Sequence, residues 1–269
     1  KNMGLSDEAI RSRAAALSRD FGPRARLLAR FSRDPVAAFR ESQYIEPSGQ
    51  WTPQTALSSL EADFPGFRAL LAGRTVLDYG CGDGFQAIAM ARAGARAVLG
   101  VDLDENRLAH ARRMAEGVPN VTFATRYAGT FDLVMSLNAF EHFVDPAGNL
   151  AEMREAAGRG GRILIAFGPP WLSAYGAHMR FFTPLPWVHL LFPEKVVFQV
   201  RALYRTDAGC HYEPELARMT IARFERLVRD SGLRILSRRY LTMRHLPLLG
   251  HVPWLREYFI TKVVCVLGQ

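Results

Sequence analysis

The chain has 269 residues, 49% of them hydrophobic and 22% charged, which are the proportions of a folded globular protein and exclude a disordered one. Its formal net charge of +8 is the unusual feature and raises nucleic acid as a partner. The charge is uneven. Residues 1–40 hold nine basic and four acidic side chains, residues 41–200 hold 13 and 16, and residues 201–269 hold 12 and six. No run of Arg or Lys exceeds two, so there is no tail built to grip phosphates, and a solvated basic surface is the expectation over a nucleic-acid footprint.

In chain order, Ser6-Asp7-Glu8 opens a helix with Ile10, Ala14 and Leu17 at helical spacing. A second helix starts at Pro23 and carries Leu27, Leu28, Phe31, Val36 and Phe39. These make residues 1–50 a helical cover, joined through the turn-rich stretch 46–53 to a main domain at 51–269. From residue 74 strands and helices alternate. Strands are expected at 75–79, 97–101, 121–123, 131–135 and 162–167, with helices at 85–93, 104–116 and 146–157 between them. That alternation predicts right-handed crossovers and a doubly wound parallel α/β sheet of Rossmann-like type. Residues 168–213 form an aromatic, proline-containing insertion. A helix at 215–231 follows, then strands near 233–242 and 258–267.

Three cysteines without paired spacing predict neither a disulfide framework nor a thiolate zinc site, and no histidine pair has the spacing of a metal site. No basic segment followed by an apolar run opens the chain, and no apolar stretch is long enough to span a bilayer. The expected location is therefore cytoplasmic. Residues 181–192 are apolar but broken by prolines, which leaves shallow contact with a membrane surface open.

The sharpest signal is Val76-Leu77-Asp78-Tyr79-Gly80-Cys81-Gly82-Asp83-Gly84, running from strand into helix. Glycines there permit backbone geometry and a close approach that a Cβ would block. Asp102, 20 residues after Gly82 at the end of the second strand, can accept hydrogen bonds from both hydroxyls of a ribose. A dinucleotide fingerprint needs glycine three residues after Gly82, and Phe85 stands there. Asp78 would also repel a pyrophosphate and suits an amine-bearing ligand.

These residues, with Gly100-Val101-Asp102-Leu103, Phe131-Asp132-Leu133-Val134-Met135-Ser136, Glu141-His142 and Gly160-Gly161-Arg162-Ile163-Leu164-Ile165, resemble the class I S-adenosylmethionine-dependent methyltransferases. The likeness is to the small-molecule group that includes ubiquinone and menaquinone methyltransferases. It is close over about residues 60–167 and extends in outline to the end of the chain. It implies seven strands with the last antiparallel, and S-adenosylmethionine as cofactor. By the same resemblance Asp78, Gly80, Cys81, Gly82 and Gly84 hold the methionine part, Asp102 the ribose and Leu103 the adenine face. Ser136 and Asn138 lie beneath the sulfonium side. Family members often carry an acid after the third strand to meet the adenine amino group. Here that segment is short and has none, so the contact falls to backbone or Thr125.

A hydroxyl acceptor benefits from a base that titrates near neutrality, and histidine is the usual choice. Among seven histidines, His142 follows the fourth strand, while His178 and His211 bracket the insertion. His110 and His189 read as surface and packing residues. Trp171, Tyr175, Phe181 and Phe182 read either as lid packing or as an apolar wall for an acceptor, and Arg180 as a clamp for an anion on it. The expected activity is methyl transfer to a hydroxyl of a small apolar or aromatic molecule such as a natural product, quinone or glycoside, free, anionic or carrier-bound. N- or C-methylation, methylation of RNA through the basic flanks, and a cofactor fold without transfer are the alternatives.

Overall fold

The computed structural model describes residues 6–38, 52–205, 216–243 and 252–269. His211, His245, His251, Cys210 and the turn-rich stretch up to residue 51 lie outside these residues.

Helix α1 (Asp7–Ser18) is capped by Ser6, whose hydroxyl accepts the Ala9 amide hydrogen, and Asp7 and Glu8 sit in its first turn where the helix dipole favours them. Helix α2 (Pro23–Arg30) begins on its proline. Of the apolar residues that suggested these helices, Ile10, Ala14 and Leu28 are buried, whereas Leu17, Leu27 and Phe31 are exposed. Two helices precede the sheet where the sequence reading placed no element: α3 (Pro53–Asp63), closed by a reciprocal Thr52–Thr55 capping box, and α4 (Phe67–Leu71).

The sheet strands are β1 (Thr75–Tyr79), β2 (Ala97–Val101), β3 (Val121–Ala124), β4 (Leu133–Leu137), β5 (Arg162–Phe167), β6 (Arg234–Thr242) and β7 (Ile260–Gly268). The order is β3-β2-β1-β4-β5-β7-β6, with β7 antiparallel to both neighbours. The doubly wound, seven-stranded arrangement with an antiparallel last strand is thus the one observed. Helices α5 (Phe85–Arg92), α6 (Glu105–Met114) and α7 (Pro146–Ala157) fall within two residues of expectation. β4 starts two residues later than expected, because Asp132 is used as a clamp: its carboxylate accepts the Thr75 amide at 2.7 Å and the Thr75 hydroxyl at 2.9 Å. The insertion contains α8 (Val188–Leu191) and α9 (Glu194–Arg201). Helix α10 (Ile221–Asp230) starts six residues later than expected, at a Thr220 cap, and α11 (Pro253–Phe259) leads into β7.

Three apolar layers result. Leu60, Phe64, Phe67 and Ile88 cover one face of the sheet over Val76, Val98 and Met135. Leu150, Met153, Phe224 and Val228 cover the other over Leu77, Val134 and Ile163. The third joins α1 and α2 to the insertion through Leu28, Phe182, Phe198 and Tyr204. Between β3 and β4 the chain passes in residues 125–132 with no helix. A parallel crossover ordinarily runs to a dozen residues or more and carries one. On the α7 side of the sheet, Tyr79 at the carboxyl end of β1 packs in one cluster with Tyr127, Phe131 and Phe143.

Candidate functional site

A cavity of about 1010 Å³ lies at the carboxyl ends of β1, β2 and β4, where open α/β sheets hold their ligands. Its floor is the glycine loop. The amides of Gly80 and Cys81 both donate to the Val101 carbonyl, at 2.8 and 2.9 Å, folding the loop over the end of β2. Gly82 donates to Asp102 Oδ2 at 2.8 Å, and Asp102 Oδ1 accepts the Asp104 amide at 2.9 Å. With these amides committed, the loop offers a ligand close approach rather than donors. Gly84 caps α5 at φ +77°, and a Cβ there would stand 2.7 Å from the Phe123 ring. Only glycine meets both conditions.

Of the residues assigned to the cofactor in the sequence, Gly80, Cys81, Gly82, Asp102, Leu103, Thr125 and Asn138 line the cavity together. Leu103 is 93% exposed at its lip, a large apolar side chain positioned for a ligand to cover. Asp78, Gly84 and Ser136 do not line it. Asp78 and Ser136 are buried under the loop and within β4, with Asp78 Oδ2 and Ser136 Oγ unpartnered among the described residues. Burial, reinforced by the charge of Asp102, pushes the Asp78 carboxyl up to about 7.

His142 ends a 3₁₀ turn (Phe140–His142) after β4 and lines the cavity. The ring of His178 stands edge-on to it, 5.5 Å away. His178 is half-buried, its Nε2 shielded from solvent and unpartnered among the described residues, and burial, then the nearby His142, pushes it down to about 4. His189 packs on Trp171 with its Nε2 2.6 Å from the Trp171 carbonyl, while His110 stands 3.5 Å from Asp83.

None of the five residues assigned to the acceptor lines the cavity. Phe182 is fully buried and stacks on Tyr204, Trp171 lies against His189, and Tyr175 donates to the Pro184 carbonyl. Phe181 sits under Arg205, and Arg180 over Tyr175. The aromatic side chains of the insertion bury one another and the N-terminal helices, which removes more apolar surface from water than lining an open cavity would.

The sequence reading missed the rest of the wall. Arg107 reaches over Gly82 from α6 and pairs with Asp83 at 3.1 Å. Tyr79, Tyr127, Phe143, Asn149 and Glu152 line the side facing α7. Period-two alternation in β1 could have pointed to Tyr79, and the i,i+3 spacing on α7 to Asn149 and Glu152. Among the described residues no cluster of His, Cys, Asp or Glu is placed to hold a metal ion, and no helix is long and apolar enough to cross a membrane.

Residues 77–165 match the family model of a methyltransferase domain. The ubiquinone biosynthesis O-methyltransferase of Aromatoleum aromaticum is 34% identical over 133 residues, which cover 46% of this chain and 56% of that protein. The chain thus spans little more than half the length of this curated relative. An S-adenosylmethionine-dependent methyltransferase from Mesorhizobium loti shares the fold at a TM-score of 0.50 and 21% identity, covering 77% of this chain and 98% of that one. The [4+2]-cyclase SpnF does so at 0.50 and 15%, covering 76% and 80%. Glycine loop, strand-end acid, strand order and family match agree: residues 77–165 match a methyltransferase domain, carried on a sheet shared with S-adenosylmethionine-dependent methyltransferases.

Proposed function

We propose that the protein binds S-adenosylmethionine and transfers its methyl group to a hydroxyl of a small, largely apolar or aromatic molecule. The observation that carries this reading is the union of the glycine loop with Asp102 and the bare Leu103 at one cavity. The O-methyltransferase relative favours oxygen over nitrogen or carbon as the acceptor atom. Four carboxylates, Asp83, Asp102, Asp145 and Glu152, line the cavity against Arg107 and Arg126, which argues against a phosphate-rich RNA acceptor.

When bound, the cofactor supplies a methyl group on a positively charged sulfur that is released as a neutral thioether. Asp102 would hold the ribose, Leu103 the adenine face, and Asn138 the wall beside the reacting centre. The loop brings backbone close to the ligand, and the aromatic wall limits water at the reacting atoms. His142 would take the proton of the acceptor hydroxyl at a ring nitrogen as the new carbon–oxygen bond forms. His178, held neutral behind it, would set the position of the His142 ring. His211 is the remaining candidate base. Residues 1–50 together with 168–213 would cover the acceptor side.

Isothermal titration with S-adenosylhomocysteine tests the reading, and absence of binding overturns it. The expected profile has a direction. Asp78 is neutral below about pH 7 and anionic above it, so affinity for the amine-bearing cofactor rises by about tenfold from pH 6 to pH 8. A flat profile would detach Asp78 from the cofactor. His142→Ala is expected to lower turnover by 10²–10⁴-fold, the usual range for a general base, while S-adenosylhomocysteine affinity stays within about twofold. Turnover that survives loss of His142, His178 and His211 in turn would exclude histidine base catalysis.

A further inference from the structure

Alternate residues of β1 face opposite sides of the sheet. The cavity is lined both by the glycine loop, which leads into α5, and by residues on the α7 side. Tyr79 faces the α7 side, where it packs with Leu77, Val134 and Leu150. There the short β3–β4 link leaves a shelf that a crossover helix would otherwise close. Tyr127 stands edge-on to Tyr79 with ring centres 6.3 Å apart, and Phe143 does so at 5.6 Å. The Tyr79 hydroxyl donates to Glu152 Oε2 at 2.5 Å and accepts from Asn149 Nδ2 at 2.9 Å, while the Tyr127 hydroxyl donates to the Glu152 backbone carbonyl at 3.0 Å. These bonds fix the two phenol rings, with Phe143 packed edge-on, beside a carboxylate that stays open to the cavity.

The electrostatics of the shelf run opposite to those of the whole chain. Glu152 and Asp145 both line the cavity. Of the two arginines that line the cavity, Arg107 is paired with Asp83 beside the glycine loop, leaving Arg126. Both phenols are raised: burial first, then Glu152, pushes Tyr79 up to about 12, and burial first, then Glu152 and Glu155, pushes Tyr127 up. Aromatic faces and a carboxylate on one wall recognise a cation, since ring quadrupole and charge attract it together.

We propose that this shelf is a recognition subsite for a protonated amine carried by the acceptor molecule. The inference rests on the methyltransferase reading and names the class of its acceptor: a hydroxylated, amine-bearing small molecule whose ammonium group sits against Glu152 and the rings of Tyr79, Tyr127 and Phe143. An anionic acceptor is the opposite case.

Three para-substituted phenols discriminate: tyramine, which is cationic, p-cresol, which is neutral, and 4-hydroxyphenylacetate, which is anionic. Their binding to the full chain is measured by saturation-transfer NMR titration, with and without saturating S-adenosylhomocysteine. Cofactor binding is read separately in the same samples, so its failure would count against the methyltransferase reading and not against the shelf. Tyramine is expected to bind about tenfold tighter than p-cresol, with 4-hydroxyphenylacetate weakest. Glu152→Gln, at an exposed position, is expected to remove that preference and leave S-adenosylhomocysteine affinity unchanged, while Glu152→Asp retains part of it. Tyramine binding no tighter than p-cresol, a preference for the anion, or a preference that survives Glu152→Gln overturns the proposal.

Discussion

Asp102→Ala is expected to weaken S-adenosylhomocysteine binding by about a hundredfold. One carboxylate does two things here. It accepts the Gly82 and Asp104 amides, which sets the loop against the end of β2, and it faces the cavity where a ribose would present its hydroxyls. Hydrogen bonds to a charged group contribute about 1.5–3 kcal/mol each, so losing the ligand contacts and loosening the loop together give an effect of that size. Asp102 is only half-buried at a strand end, so the variant should fold, with a circular dichroism spectrum like that of the parent. Binding within threefold of wild type, measured by isothermal titration, would mean that the acid serves the loop alone.

The second large effect is on stability. Gly84→Ala should lower the melting temperature by roughly 6–10 °C, corresponding to about 3 kcal/mol. Two costs combine: a left-handed backbone at φ +77°, and a Cβ 2.7 Å from the Phe123 ring and 2.8 Å from Ala111 Cβ. Gly129→Ala separates them, because Gly129 has φ +84° with nothing within 4 Å of the new Cβ. It should cost only the backbone share, about 1 kcal/mol. Equal losses in differential scanning fluorimetry would show that crowding under the loop is negligible.

The contrast between these sites shows what a sequence can reveal. The loop and Asp102 were legible because each is a local signal, a cluster of glycines and an acid at a strand end, joined by a short and regular βαβ spacing. The doubly wound parallel sheet followed from the alternation, and its seven strands with the last antiparallel from the family resemblance. The ends of elements were harder wherever a side chain had a second use, as Asp132 does in clamping Thr75. Helix α3 went unseen because its apolar residues Ala56 and Leu60 form a weak stripe, and the feature that holds its start is the Thr52–Thr55 exchange of hydrogen bonds.

The acceptor side was the least legible, for a physical reason. An aromatic-rich insertion announces apolar burial but not its direction. Trp171, Tyr175, Phe181 and Phe182 turn toward α1, α2 and one another. The wall that the cavity uses instead joins Tyr79 to Glu152, 73 positions apart, and it depends on a crossover helix that is missing between β3 and β4. Nothing in the local pattern around Glu152 records that meeting. The charge distribution likewise becomes clear only in three dimensions: a chain of net charge +8 encloses a cavity with four carboxylates and two guanidinium groups.

A shared fold does not by itself fix the reaction, as the likeness to a [4+2]-cyclase makes plain. The most direct measurement is therefore transfer itself. The full chain is incubated with methyl-labelled S-adenosylmethionine and a metabolite extract, and the products are followed by mass spectrometry. The predicted result is one small molecule heavier by a labelled methyl group, formed in equal amount with S-adenosylhomocysteine and absent with Asp102→Ala. Cofactor that binds but is never turned over, or label that appears in RNA instead, would contradict the account.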